Sequence, residues 1–148
     1  AVGDTLPGLD HDVTANTVVL GALASRDWRP MHHDRDFAIN HNGTRDIFLN
    51  TPNQAAWFER YVTDWTGPTG RLGRMTFRMN TSVFPGDLMA FGATVTHVGT
   101  DDVGCGWIDL DVALTVGDVV ATTCATRVAV PVDAQDNPWS RRGDDWRP

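Results

Sequence analysis

The sequence predicts an α+β domain, and two observations carry the prediction. Residues 51–65 form the one strongly signalled helix of the chain, and from residue 72 onward the pattern turns to strand and stays there. The strand-like runs are 72–83, 88–98, 105–116 and 119–130, separated by the turn signals Pro85-Gly86-Asp87, Gly99-Thr100-Asp101-Asp102 and Gly117-Asp118. One enclosed helix ahead of four long strands in an antiparallel meander is an α+β arrangement.

Taken in order, residues 1–12 carry Gly3, Pro7 and Gly8 among scattered charges and read as an extended lead-in. Val18, Val19, Leu20, Ala22, Leu23 and Ala24 make a short, mostly buried helix over 16–25. It runs into Ser25–Asp34, where Pro30 fixes its own φ and biases Arg29 away from the α region, so this segment is a bent, rigid loop. A helical turn follows over 35–40, with Asp34 as its cap and Asp36 on a solvated face, and His41-Asn42-Gly43 closes it. After the apolar run 46–50 comes the main helix, with Thr51 as N-cap, Pro52 at the first helical position and Gly67-Pro68 as the stop. Apolar residues at 55, 58, 62 and 65, with Trp57 and Tyr61 beside them, widen the stripe until this helix reads as central and enclosed. Residues 1–132 make a single domain. Residues 133–148, polar and rich in Asp, Arg and Pro, read as a loosely held tail whose Trp139 and Trp146 are able to dock.

At 148 residues, with 41% hydrophobic content and six tryptophans, the chain suffices for one packed core. A net charge of −7 argues against nucleic acid or an anionic membrane surface as its partner. Cys105 and Cys124 lie in apolar strand runs and read as buried free thiols. With no signal-peptide pattern and no apolar run of transmembrane length, the expected location is the cytoplasm.

The residues that carry chemistry concentrate in the loop, where Asp27, His32, His33 and Asp34 stand together and a bend can turn Asp27 toward His32. A carboxylate beside an imidazole suits acid–base work near neutral pH, because histidine titrates there and the carboxylate orients it or shares its proton. A solvated polar loop is the plainer alternative, since Asp and His are common in loops. The His33-Asp34 doublet lacks companion ligands later in the chain, so no metal is expected. His41 reads as a turn residue and His97 as a strand-surface one, and no serine or cysteine sits near a plausible base.

Asp27-Trp28-Arg29-Pro30-Met31-His32-His33-Asp34, with Ala38 after it, is similar to the Asp-x-Asn-Pro-x-His-x-Asp…Ala motif of MaoC-like (R)-specific enoyl-CoA hydratases. Val83-Phe84-Pro85-Gly86-Asp87-Leu88 resembles the Pro-Gly-Asp turn of the same family. Residues 46–50 and 60–68 resemble one branch of it, the small MaoC-like subunits of actinobacterial hydratases that act on steroid side-chain CoA esters. The resemblance implies a hot-dog fold, in which a curved antiparallel β-sheet wraps around one central helix. Two positions depart from the pattern. Arg29 stands where the family has asparagine, and Leu49-Asn50 where it has His-Gly at the start of the central helix.

The chemistry that the resemblance implies is hydration of a 2-enoyl-CoA thioester, with a bulky, steroid side-chain type of acyl group, to a 3-hydroxyacyl-CoA. Water adds at C3 and a proton at C2, through a state with negative charge on the thioester oxygen. In this reading Asp27 and His32 hold the water and exchange its proton. Pro52 has no N–H, which leaves the amides of Thr51, Asn53 and Gln54 at the helix start for the thioester oxygen. No metal and no cofactor enter, CoA being part of the substrate. The family also implies a second hot-dog chain as partner, either a related MaoC-like subunit or a second copy. A hot-dog acyl-CoA thioesterase, and a non-catalytic subunit that completes a partner's acyl pocket, are the alternatives.

Overall fold

The computed structural model describes residues Ala1–Pro148. Its single sheet has five antiparallel strands, β1 (Leu9–Asp12), β2 (Arg71–Met79), β3 (Leu88–Thr100), β4 (Gly106–Val116) and β5 (Val119–Val130), in the order β1-β3-β4-β5-β2. Hairpins join β3, β4 and β5 as the turn signals predict. The meander fails at β2, which pairs with β5 and not with β3, because residues 80–87 form a long connection in place of a tight turn. That strand ends at Met79, short of the predicted residue 83. Val83 is buried instead, and its carbonyl accepts from the Leu49 N–H at 3.0 Å. β1 lies within the segment read as a lead-in, its four residues too few and too charged to signal a strand.

Three α-helices accompany the sheet: α1 (Ala15–Ala24), α2 (Arg35–Asn40) and α3 (Thr51–Thr66). α3 lies against the sheet through Phe58, which meets Phe77 of β2 and Phe91 of β3 edge-on with centroids 5.3 and 5.1 Å away. Complete burial of such a side chain is worth roughly 1.5–3 kcal/mol. Tyr61 stacks on Phe91 and donates to the Pro7 carbonyl at 2.9 Å, tying the lead-in to the helix. Enclosure is one-sided, however, since Ala56, Glu59, Arg60 and Asp64 are exposed, so within this chain α3 is amphipathic. α1 likewise buries only Val18 and Ala22 and leaves Leu20 and Leu23 exposed, because one face of one sheet cannot cover both helices all round.

Helices α1 and α3 approach closely where Gly21 faces Asn53, whose Nδ2 donates to the Thr17 carbonyl at 3.0 Å. A Cβ built on Gly21 falls 1.9 Å from that Nδ2. α1 then ends in paired bonds, Arg26 N–H to Leu23 O and Asp27 N–H to Ala22 O, with Arg26 in the left-handed region at φ 54°. This ending aims the loop that follows.

The tail is held, not loose. Trp139 Nε1 donates to Gly70 O at 3.1 Å, and Arg71 Nη1 donates to the carbonyls of Pro138 and Arg141 at 3.1 and 3.0 Å. The Arg71 guanidinium also sits 3.6 Å from the Trp146 ring, which packs on Trp107. Cys105 and Cys124 are free and buried, and burial pushes both thiols up from their ordinary pKa. No helix is long and apolar enough to cross a membrane.

The contact at Gly21 yields a test. Gly21→Ala should destabilise the chain by about 1–3 kcal/mol, because the added methyl must displace the buried, hydrogen-bonded Asn53 side chain. Urea unfolding measures it, and an alanine variant as stable as the parent would show that the helices part without loss.

Candidate active site

Pro30 begins a single 3-10 turn, Pro30–His32, that carries His32 inward to 3% exposure. His32 Nδ1 lies 2.8 Å from the Phe48 carbonyl oxygen. A carbonyl only accepts, so Nδ1 carries a proton and donates it there. The other ring nitrogen, Nε2, is 3.6 Å from Asp27 Oδ2. The loop therefore brings together the two residues that the sequence singles out, although they are five positions apart.

Asp27 is not free, however. Arg29 binds it bidentately, with Nε 2.9 Å from Oδ1 and Nη2 2.7 Å from Oδ2, and its backbone N–H adds a longer contact of 3.3 Å to Oδ1. Asn50 Nδ2 donates to Oδ2 as well, at 3.0 Å. The Arg29 hydrogen bonds, helped by that of Asn50 and opposed by desolvation, hold the Asp27 carboxyl far below the usual carboxylate range. The same pairing pushes the Arg29 guanidinium up. Asp27's side chain is 9% exposed while that of Arg29 is 64% exposed, so the arginine covers the carboxylate.

Beside this loop opens a cleft of about 320 Å³, lined among others by Arg29, His32, Asn50, Thr51, Gln54 and Met79. His32 reaches it, whereas Asp27 stands behind Arg29 and does not. Of the two residues expected to share a water, His32 is the one that lines the cleft.

The reading of the start of α3 is corrected by the structure. Asn50, not Thr51, is the N-cap, its side chain accepting from the Asn53 N–H at 3.1 Å. The Gln54 N–H goes to the Asn50 carbonyl, also at 3.1 Å. Two of the three predicted amide donors, those of Asn53 and Gln54, are thus consumed by the cap and the first helical bond. The Thr51 N–H keeps no partner within the chain, and neither does that of Asn50. Gln54 still lines the cleft by its side chain, whose Oε1 accepts from Thr122 Oγ1 at 2.7 Å. Asn50 was legible in principle, since asparagine before Thr-Pro is as good a cap as threonine. Nothing in the spacing signals the Phe48 carbonyl that fixes the imidazole.

The remaining candidates separate from the site. His33 Nε2 bonds the Trp28 carbonyl at 3.2 Å, Asp34 caps α2 through the Phe37 N–H at 3.0 Å, and neither belongs to a group able to hold a metal ion. The Pro-Gly-Asp turn is braced by Asp87, which accepts from the Phe84 N–H at 2.8 Å and pairs with Arg45.

No model of a known protein family matches the sequence. Over 97 residues, 66% of this chain and 74% of the relative, it is 37% identical to the 3-oxo-4,17-pregnadiene-20-carboxyl-CoA hydratase beta subunit of Mycobacterium tuberculosis. The fold matches the ChsH1–ChsH2 complex from Mycobacterium tuberculosis with a TM-score of 0.82 and 30% identity, over 88% of this chain and 98% of that one. The (R)-hydratase from A. caviae involved in PHA biosynthesis shares the fold at a TM-score of 0.75 and 22% identity, over 88% of this chain and 97% of that one. With a five-stranded antiparallel sheet packed on one main helix and the Asp27–His32 loop at the helix start, the chain belongs to the MaoC-like hydratase family of hot-dog proteins.

Proposed function

We propose that this chain hydrates a 2-enoyl-CoA thioester to a 3-hydroxyacyl-CoA, with His32 as the base and Asp27 as its counter-charge. The observation that carries the reading is His32, held through Nδ1 by the Phe48 carbonyl, lining a cleft beside unpartnered helix-start amides. Water attacks C3 as Nε2 takes its proton, and the imidazolium then returns a proton to C2. The Asp27 carboxylate 3.6 Å away stabilises that imidazolium and need not be protonated itself. Negative charge meanwhile moves onto the thioester oxygen, where the Asn50 and Thr51 amides and the positive end of α3 meet it. A single donor of this kind is worth about 3–4 kcal/mol of the barrier.

The addition is redox-neutral and its proton is handled by a side chain, so we assign no redox cofactor and no metal, CoA entering as part of the substrate. Likeness to the pregnadiene-carboxyl-CoA hydratase subunit supports a bulky, steroid side-chain type of acyl group. Likeness to the ChsH1–ChsH2 complex supports a second hot-dog chain as partner, a related subunit ahead of a second copy. One observation favours another reading, a subunit that only completes a partner's acyl pocket: Arg29 screens Asp27 from the cleft.

The two readings separate on mutation. His32→Ala should lower hydration by roughly 10²–10⁴-fold, followed as loss of the conjugated enoyl absorbance with the partner chain present. Asp27→Asn should lower it less, because it removes a charge and not the base. If both variants turn over like the parent, chemistry belongs elsewhere in the assembly.

Arg29→Asn restores the family's residue and uncovers Asp27, so activity should survive, and the Asp27 carboxyl should titrate at higher pH than in the parent. For stability the sign follows from the depressed Asp27 pKa. The contribution of the pair is complete above the ordinary carboxylate pKa and is lost as pH falls toward the folded value. Parent and Arg29→Asn should therefore differ most in melting temperature near neutral pH and converge in acid. A gap that widens on acidification would contradict the assignment.

A further inference from the structure

We propose that Asn50 is the positioning residue of this site, the side chain that holds Asp27 at its distance from His32; the proposal rests on the hydratase reading. Asn50 is 1% exposed, and both polar atoms of its side chain are committed. Oδ1 accepts from the Asn53 N–H at 3.1 Å, while Nδ2 donates to Ser25 Oγ at 2.9 Å and to Asp27 Oδ2 at 3.0 Å. It grips the same carboxylate oxygen that faces His32 Nε2. Arg29 grips the carboxylate too, but on a long, 64% exposed side chain that substrate can displace. Asn50 is locked in the helix cap and cannot leave. Its own N–H has no partner and the residue lines the cleft, so one shift of Asn50 would move the carboxylate and an oxygen donor together. The glycine of the family pattern has no side chain with which to do this.

The rival explanation is that Asn50 merely caps α3, and serine separates the two. Serine caps a helix as well as asparagine does, but its hydroxyl is too short to serve Asn53 and Asp27 at once. Asn50→Ser should therefore melt close to the parent, while the Asp27 carboxyl, followed by ¹³C NMR, titrates at higher pH. Its kcat for hydration should fall roughly 10–100-fold with KM little changed, as expected for loss of a hydrogen bond to a charged group. Asn50→Gly should show the same titration and kcat with a lower melting temperature. An Asn50→Ser protein with the parent's kcat, or with Asp27 titrating as in the parent, overturns the proposal. The titration is read on the chain without substrate. A parent that hydrates no enoyl-CoA defeats the hydratase reading, whereas an unmoved Asp27 defeats the role of Asn50.

Discussion

The cleft end of this molecule hangs on the side-chain amide of Asn50, which joins the start of one helix to the end of another. Its oxygen caps α3 through Asn53, and its nitrogen reaches Ser25 and Asp27. Ser25 in turn donates from Oγ to the Gly21 carbonyl at 2.8 Å, within the last turn of α1. The bent segment between the helices is thus held at both of its margins. Such restraint is needed, because Arg26 sits in the left-handed region at φ 54°, a conformation that disfavours a non-glycine residue by about 1–2 kcal/mol. The paired carbonyl bonds that end α1 offset it.

Arg29 shows how a weak interaction can redirect chemistry. Because the Arg29 side chain is 64% exposed, solvent screening limits the pair to about 0–1 kcal/mol of stability, and it does little to hold the fold. Its effect on the carboxylate is much larger. Both oxygens of Asp27 are occupied, its negative form is strongly favoured, and the cleft sees guanidinium in its place. An asparagine there could donate a hydrogen bond but would bring no positive charge. The imidazole, fixed by the Phe48 carbonyl and flanked by the Phe48 ring at 4.8 Å, is the one of the two that lines the cleft.

Local signals made much of this legible. The helix over 35–40 and the strand over 119–130 fall where propensity and turn chemistry put them, since each is bounded by residues that act within a few positions. The Asp27–His32 approach was legible too, because Pro30 dictates a bend whatever surrounds it. What escaped depends on distant partners. The pairing of β2 with β5 comes from how the connection over 80–87 runs, and β1 is a strand because the edge of β3 is there to receive it. The tail is ordered by Arg71 and Trp107, far away in sequence, and no composition rule reports that. At α3 the shift of the cap by one residue decided which amides stay free, a distinction finer than any pattern of residue types.

Three polar side chains at the start of α3 are buried, and their cost shows what they are for. Asn50, Asn53 and Gln54 are 1%, 8% and 2% exposed. Each buried hydrogen bond gains only about 1 kcal/mol net, while a group left unpaired there loses about 1–3 kcal/mol. Apolar residues would give comparable stability at less risk, so stability alone does not account for the three amides. Their directions do. Asn53 fixes α1 through the Thr17 carbonyl, Gln54 fixes β5 through Thr122, and Asn50 fixes the loop through Asp27. Three directional contacts from within five residues set the helix start against a helix, a strand and a loop at once. Dispersion contacts between aliphatic side chains would permit sliding and rotation that hydrogen bonds do not. Because the free amides of Asn50 and Thr51 lie at this same turn, their distance from His32 is set by the fold and not by the mobility of a surface loop.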